Sequence, residues 1–259
     1  MARPPLIRAD RSHDYRYLIR RWRAALRSTP LVFRKFGEAS GYPLHYAETR
    51  RPIAGRPWLY FSAGIHGDES AATEGLVTWM ERHGSKDLDR YNFLIFPCLN
   101  PWGLVNNCRL DAESRDLNRT YHDETTPQTA AHKAVFRGRR FLFAVAHHED
   151  YDAPGAYVYE IQHRGRPWGE ELLDAASRHV PVDNRKSIEG SRARTGLIRR
   201  RIQLDTMSEH PEAFTLHFEN ADRTFTLETP SEYAIDARVN AHVACIRRLI
   251  KLAGSTDRK

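Results

Sequence analysis

Cysteine is scarce in this chain: three in 259 residues, at positions 98, 108 and 245. An odd number without paired spacing excludes a disulfide scaffold and a cysteine-built zinc site, and leaves buried or neutral thiols as the expectation. Long hydrophobic runs are also missing. Stretches such as Phe141–Ala146 fall far short of the roughly 20 apolar residues a membrane-crossing helix needs, so no membrane partner is expected. Met1-Ala-Arg-Pro-Pro carries no apolar signal-like stretch, and a cytoplasmic location is the default expectation. No repeat, low-complexity tract or linker-like segment divides the chain. A single domain follows, with residues 1–55 as an N-terminal helix and strands of the same domain and residues 56–259 as its core. Acidic side chains are fewer than basic ones, 33 against 40, giving a formal charge of +7. That charge could steer anionic partners. The arginines are nevertheless spread along the chain, and the one dense run, from Arg192 to Arg201, reads as a solvated basic face, so nucleic acid is not the expected partner.

What is present is a repeated alternation of strands and helices. From Ser12 to Arg27, Tyr15, Leu18, Trp22 and Leu26 recur at helical spacing, with Ser12 or Asp14 available as a cap. Short strands read from Leu31–Phe36 and Pro43–Ala47 around a Gly41-Tyr-Pro turn. Trp58–Ala63 and Asn92–Cys98 read as buried strands separated by a helix over Ser70–His83. Phe141–Ala146 is a further apolar run, ending at His147-His148. Ala156–Ile161 and Phe225–Glu228 read as strands, and Gly169–His179 and Ile235–Leu252 as helices. This pattern predicts an α/β fold with a mixed, mostly parallel β-sheet flanked by helices. Polar residues repeatedly follow apolar strands, the place where open α/β sheets collect ligands.

Four segments carry chemistry. In Gly64-Ile-His66-Gly67-Asp68-Glu69, a His and a Glu three residues apart follow a strand, and the glycines permit a tight path into the next helix. Imidazole and carboxylate suit zinc, whose catalytic sites use three protein ligands and keep one position open. Ala146-His147-His148-Glu149 supplies a histidine at a strand end. Alternate strand residues face opposite ways, so at most one of His147 and His148 points at a metal shared with His66 and Glu69. Arg109 and Arg119 bracket a polar stretch with Asp116 and Asn118, and guanidinium groups match carboxylates and stabilise oxyanions. Glu228 ends an alternating apolar strand, where a carboxylate near an activated water could move its proton.

Taken in order, these segments resemble the zinc carboxypeptidase superfamily, of which succinylglutamate desuccinylase and aspartoacylase are members. The resemblance runs from about Trp58 to Ser231. G-x-H-G-x-E appears as Gly64 to Glu69, N-P-x-G as Asn100-Pro101-Trp102-Gly103, and the arginine element as Arg109 through Asp116-Leu117-Asn118-Arg119. The strand-end histidine appears before Glu149-Asp150 and the late glutamate in Leu227-Glu228-Thr229-Pro230. The chain departs from the family in carrying Trp102 where Asp is common after Asn-Pro, and Ser114 where a glycine often precedes the Asp-Leu-Asn-Arg element.

The resemblance implies one zinc ion per chain, held by His66, Glu69 and His148. His148 is preferred to His147 because bacterial members often read Leu-His-Glu-Asp at this strand. It implies that Asp116 hydrogen-bonds a ligand histidine, that Arg109 polarises the scissile carbonyl, that Asn118 and Arg119 grip a substrate carboxylate, and that Glu228 is the general base and acid. The implied activity is hydrolysis of an amide or peptide bond next to a free carboxylate, in a small peptide or an N-acyl amino acid. A metallocarboxypeptidase leads and an N-acyl amino acid deacylase follows. A non-catalytic zinc or nucleic-acid-binding protein is disfavoured, since metal binding alone needs neither Arg109 nor Glu228. The segment Glu209–Phe218 is expected to contribute to the specificity pocket.

Overall fold

The computed structural model describes residues 7–256 apart from positions 123, 164, 200–201 and 203–208. Its strands are β1 (Leu31–Ala39), β2 (Tyr42–Thr49), β3 (Trp58–Ala63), β4 (Asn92–Phe96), β5 (Phe141–Asp150), β6 (Tyr157–Gln162), β7 (Ser187–Ile188), β8 (Ser191–Arg194), β9 (Leu197–Ile198) and β10 (Arg223–Pro230). The helices are α1 (Tyr15–Ala25), α2 (Ser70–Asp87), α3 (Pro101–Asn106), α4 (Pro127–Phe136), α5 (Gly169–Ala176), α6 (Glu212–Thr215) and α7 (Ile235–Thr256). Among the described residues the strands form one sheet in the order β1-β2-β4-β3-β5-β10-β6-β9-β8-β7. Its centre, β4-β3-β5-β10, is parallel; the extensions on both sides are antiparallel apart from the parallel pair β6-β9. The fold is thus α/β, a mixed sheet between helical layers.

The period of two along each central strand explains both layers. Leu59, Phe61 and Ala63 of β3, with Phe143 and Val145 of β5, turn to one face, where they pack with α1, α2, α5 and α7 around the buried Trp22 and Trp79. Tyr60 and Ala144 turn to the other face, against Phe96, Phe136 of α4, Leu117 and Leu216. Helix α1 begins where Asp14 accepts a hydrogen bond from the Tyr17 amide at 2.8 Å, and it buries Tyr15, Leu18 and Trp22 as its spacing predicts. Strand β5 runs four residues beyond the apolar run: His147, His148, Glu149 and Asp150 are still paired with β10. Polar character marks the end of hydrophobic burial in the sequence, but ladder hydrogen bonds continue because β10 extends alongside. The basic run lies partly at the sheet edge, where Arg192 and Arg194 of β8 are exposed; Arg200 and Arg201 lie outside the described residues. No described helix is long and apolar enough to cross a membrane.

A buried polar cluster lies within the second core layer. Tyr121 donates to His132 Nδ1 at 2.6 Å, His132 Nε2 lies 2.8 Å from the Tyr60 hydroxyl, and Tyr60 donates to Glu212. A neutral imidazole with its proton on Nε2 satisfies every partner. Burial pushes the His132 pKa down to about 3. Because the folded value lies below the ordinary value near 6.5, the unfolded chain binds the extra proton, and this contribution to stability is lost as pH falls from 6.5 toward 3. At pH 5 the loss is about 2 kcal/mol. Urea titrations at pH 8 and pH 5 are expected to show the His132→Gln variant losing less stability on acidification than the parent chain by that margin. Equal losses would mean that His132 does not carry the buried neutral imidazole described here.

Candidate metal centre

The parallel strands deliver the polar residues to one edge. β3 ends at Ala63, and Gly64 follows with φ +64°, a left-handed conformation in which an added Cβ would also lie 2.6 Å from the Thr73 side chain. Gly67 passes so close to α3 that a Cβ there would fall 1.9 Å from the Gly103 carbonyl carbon. These contacts give the G-x-H-G-x-E and N-P-x-G motifs a physical meaning, since two backbones touch where the glycines meet. The Asn100 side chain caps α3 by accepting from Gly103 N at 2.9 Å, fixing the same junction.

The path from Gly64 to Glu69 brings His66 and Glu69 to one point, and β5 brings His148 to the same point. One nitrogen or oxygen from each of the three buried side chains lies within 4.8 Å of the others. His66 Nδ1 is 2.5 Å from Glu69 Oε1, and His148 Nδ1 is 2.9 Å from Glu69 Oε2. Glu69 Oε2 is buried without a well-formed hydrogen bond. His66 Nε2 sits 3.1 Å from Asp116 Oδ1, so its remote nitrogen is anchored and Nδ1 is the one aimed inward. Two imidazole nitrogens and a carboxylate, converging on one buried point, form a donor set that fits zinc. Burial opposes a charge on His66, but Glu69 and Asp116 outweigh it and raise its pKa to about 9. Burial likewise opposes ionisation of Glu69, while His66 and His148 hold it well below the ordinary carboxylate range.

Strand alternation separates the two adjacent histidines. His148 shares the cleft face with Ala144 and Ala146. His147 shares the opposite face with Phe143 and Val145, stacks on Phe61 at 6.4 Å, and lies Nδ1 to Nδ1 3.0 Å from His242 of α7. Burial drives the pKa of His147 far down, with His242 adding to the effect.

Around the three donors, Glu228 is paired in register with His148 on the neighbouring strand. Burial pushes the Glu228 pKa up to about 8, opposed by His148 and assisted by Glu69, Glu189 and Asp150. A nearby dication would act in the opposite direction. Arg109 donates to Asp116 Oδ2 from Nε at 3.2 Å and from Nη2 at 3.0 Å, while its Nη1 reaches His66 Nδ1 at 3.1 Å. Asp116 also accepts from Asn118 N at 2.9 Å. Asn118 directs its Oδ1 to the amide of Glu212 at 2.9 Å, which leaves its NH2 group for the cleft. Arg119 lies beside it, 3.6 Å from Glu209. Ser114, at the position where the family resemblance leads one to expect glycine, adopts a left-handed φ of +61°, at a strain of about 1 kcal/mol.

All eight residues singled out in the sequence therefore lie together: seven line a cleft of about 640 Å³, and Asp116 lies directly behind His66 and Arg109. Pro211, Ala213 and Phe214, within the expected segment Glu209–Phe218, form part of its wall, as does Tyr159. Several residues of the neighbourhood have no sequence signal of their own. Tyr151, half exposed at the rim, follows the ligand strand without any periodic mark. Glu212 and His242 are brought under the site by tertiary packing alone.

Residues 56–153 match the family of succinylglutamate desuccinylase/aspartoacylase catalytic domains. This segment contains every residue of the constellation except Glu228. No curated protein matches the chain significantly. Among solved structures, a candidate metallopeptidase of Shewanella baltica superposes with a TM-score of 0.83 at 22% identity, covering 93% of both chains. A metallo-carboxypeptidase of Burkholderia cenocepacia gives 0.71 at 15% identity, over 93% of this chain and 70% of its own. A metallo-carboxypeptidase of Pseudomonas aeruginosa, in complex with (2-guanidinoethylmercapto)succinic acid, gives 0.66 at 16% identity, over 93% and 69%. At such identities the likeness to solved structures concerns the fold. The family match over residues 56–153 and this fold likeness both point to the same class of proteins, metallohydrolases of carboxypeptidase or deacylase type. The match over residues 56–153 and the shared fold are together a likeness to zinc carboxypeptidase-like proteins.

Proposed function

We propose that this protein is a zinc-dependent hydrolase that cleaves an amide or peptide bond next to a free carboxylate. The observation that carries this reading is the convergence of His66, Glu69 and His148 in the same cleft as Glu228, Arg109 and the Asn118-Arg119 pair. His66 Nδ1, one or both Glu69 oxygens and His148 Nδ1 would hold the ion. The chemistry it supplies when bound is Lewis-acid activation of a water molecule and of the scissile carbonyl.

The remaining work falls to the chain itself. Asn118 and Arg119 bind the substrate carboxylate and so set which amide faces the metal. Asp116 keeps His66 in the tautomer that presents Nδ1 inward. Arg109, anchored on Asp116 but partly exposed, offers its guanidinium to the oxygen on which negative charge develops. Glu228 takes a proton from the attacking water and returns it to the leaving nitrogen. Burial raises its pKa and a dication would lower it, two opposed effects on the group that must both accept and release a proton.

The cleft also supports a narrower substrate class. Nine Asp and Glu side chains line it against Arg109 and Arg119, although the whole chain is cationic. One dication neutralises only part of this excess. A substrate that carries an ammonium or guanidinium besides its carboxylate suits such a field, and the Pseudomonas aeruginosa neighbour was solved with a guanidino dicarboxylic acid. With zinc restored, a panel of carboxyl-terminal dipeptides and N-acyl amino acids is expected to give kcat/KM values about tenfold higher for basic than for acidic side chains, a difference that shrinks in high salt. Turnover confined to apolar or acidic substrates would defeat the charge argument. Absence of turnover on every member would defeat the hydrolase reading. Preference for acyl groups over peptides within the panel would place the protein on the deacylase side.

A further inference from the structure

Glu149 follows His148 directly, yet it has no part in the chemistry above. Its side chain is buried, and it is bonded to the segments that bear Glu69 and Glu228. Glu149 Oε2 accepts from the backbone amide of Ala71 at 2.8 Å, two residues beyond Glu69. Glu149 Oε1 lies 3.3 Å from the hydroxyl of Thr229, the residue after Glu228. Glu69 is the N-cap of helix α2, and its own side chain makes no capping hydrogen bond. The carboxylate of Glu149, from β5, therefore supplies the cap from outside the helix, at the end where an anion is most favourable. Arg238 of α7 binds Oε1 as an ion pair, which offsets the cost of burying the charge. Behind it, Thr229 Oγ1 lies 3.1 Å from His242 Nε2, and His242 in turn contacts His147.

We infer that Glu149 is a positioning residue that locks the segments bearing Glu69, His148 and Glu228 to one another, and so fixes the donor geometry of the metal centre. The inference rests on the zinc-site reading above. A metal site demands its donors within a few tenths of an ångström, and Glu69 and His148 come from different elements, a helix start and a strand. Their mutual distance is set by whatever crosses between those elements at that level. Glu149 makes that crossing by one hydrogen bond and adds a second bond to the strand of Glu228. Partners behind the ligands commonly change metal affinity by 10–100-fold when removed.

The test uses the full chain and its Glu149→Ala and Glu149→Gln variants. Zinc affinity is measured by chelator competition, donor geometry by the visible absorption of the cobalt(II)-substituted protein, and metal-free stability by thermal unfolding. Glu149→Ala is expected to bind zinc 10–100-fold more weakly, with a shifted cobalt spectrum. Glu149→Gln, which keeps one acceptor oxygen, is expected to recover part of that loss while remaining at least threefold weaker than the parent. If both variants bind zinc within threefold of the parent and keep its cobalt spectrum, Glu149 is a structural residue only and the inference is overturned, whatever happens to the melting temperature. Should Glu149→Ala not fold, Glu149→Gln decides the matter on the same two readouts. A parent chain that binds neither zinc nor cobalt overturns the metal reading itself, an outcome that needs no variant to recognise.

Discussion

Replacing Glu228 by Gln is expected to lower kcat/KM by about three orders of magnitude while leaving the zinc content unchanged. The size follows from the role. General acid–base catalysis contributes roughly 10²–10⁴-fold, and the substitution removes both the acceptor of the first proton and the donor of the second. The constancy of the metal follows from geometry: Glu228 is in register with His148, but the group of three donors consists of His66, Glu69 and His148. Gln keeps the size of the side chain and removes the charge that raises tension with Glu69, Glu189 and Asp150, so the fold is expected to hold. Steady-state kinetics alongside metal analysis checks both halves. Activity equal to the parent would remove Glu228 from the mechanism, and loss of zinc would make it a ligand.

The second large effect separates two neighbours in the chain. His148→Ala is expected to abolish stoichiometric zinc binding and activity, whereas His147→Ala is expected to retain zinc and to lose stability instead. His148 contributes Nδ1 to the cleft side of the sheet, 2.9 Å from Glu69. His147 occupies the other side, buried among Phe61 and His242. Its removal leaves a cavity and strips His242 of a hydrogen-bond partner, a combination that costs about 2–4 kcal/mol. Metal analysis and urea unfolding of the two variants are sufficient. If His147→Ala loses the metal and His148→Ala keeps it, the strand faces have been assigned the wrong way round.

The contrast between these histidines also shows what was legible before the structure. The amino-acid order predicts a strand ending in polar residues, and the period of two permits only one of the pair to face a shared metal. Which one remained open on the residues alone, and the family resemblance pointed to His148. In the structure the face is set by packing: Phe143 and Val145 belong to the layer against α2 and α7, so His147, two further on, belongs there too. The central strands, the amphipathic helix α1 and the long helices α2 and α7 were legible because burial writes a period of two or about 3.6 into the sequence, whereas helices α3, α4 and α6 were not read. The short strands β7, β8 and β9 were not, since edge strands of two to four residues bury too little to leave a pattern.

Ser114 illustrates a different limit. Serine where the resemblance leads one to expect glycine suggests an altered loop, yet its φ of +61° is the left-handed conformation a glycine would take. The backbone path is held by Asp111, which accepts from the amides of Glu113 and Arg115 at 2.9 Å each, and this outweighs the local preference of serine.

By itself the sequence determined the types of side chain available for chemistry, the strands that precede them and the glycines that let two backbones meet at His66. Those are local properties, fixed by periodicity and by backbone conformation. Only the tertiary structure decided that donors from positions 66, 69 and 148 converge within 4.8 Å, that the cleft around them is acidic in a cationic chain, and that Glu149 bonds across the segments that hold them. Such distances depend on how the parallel strands β3, β5 and β10 are placed side by side, and strand order is set by packing between residues far apart in the chain.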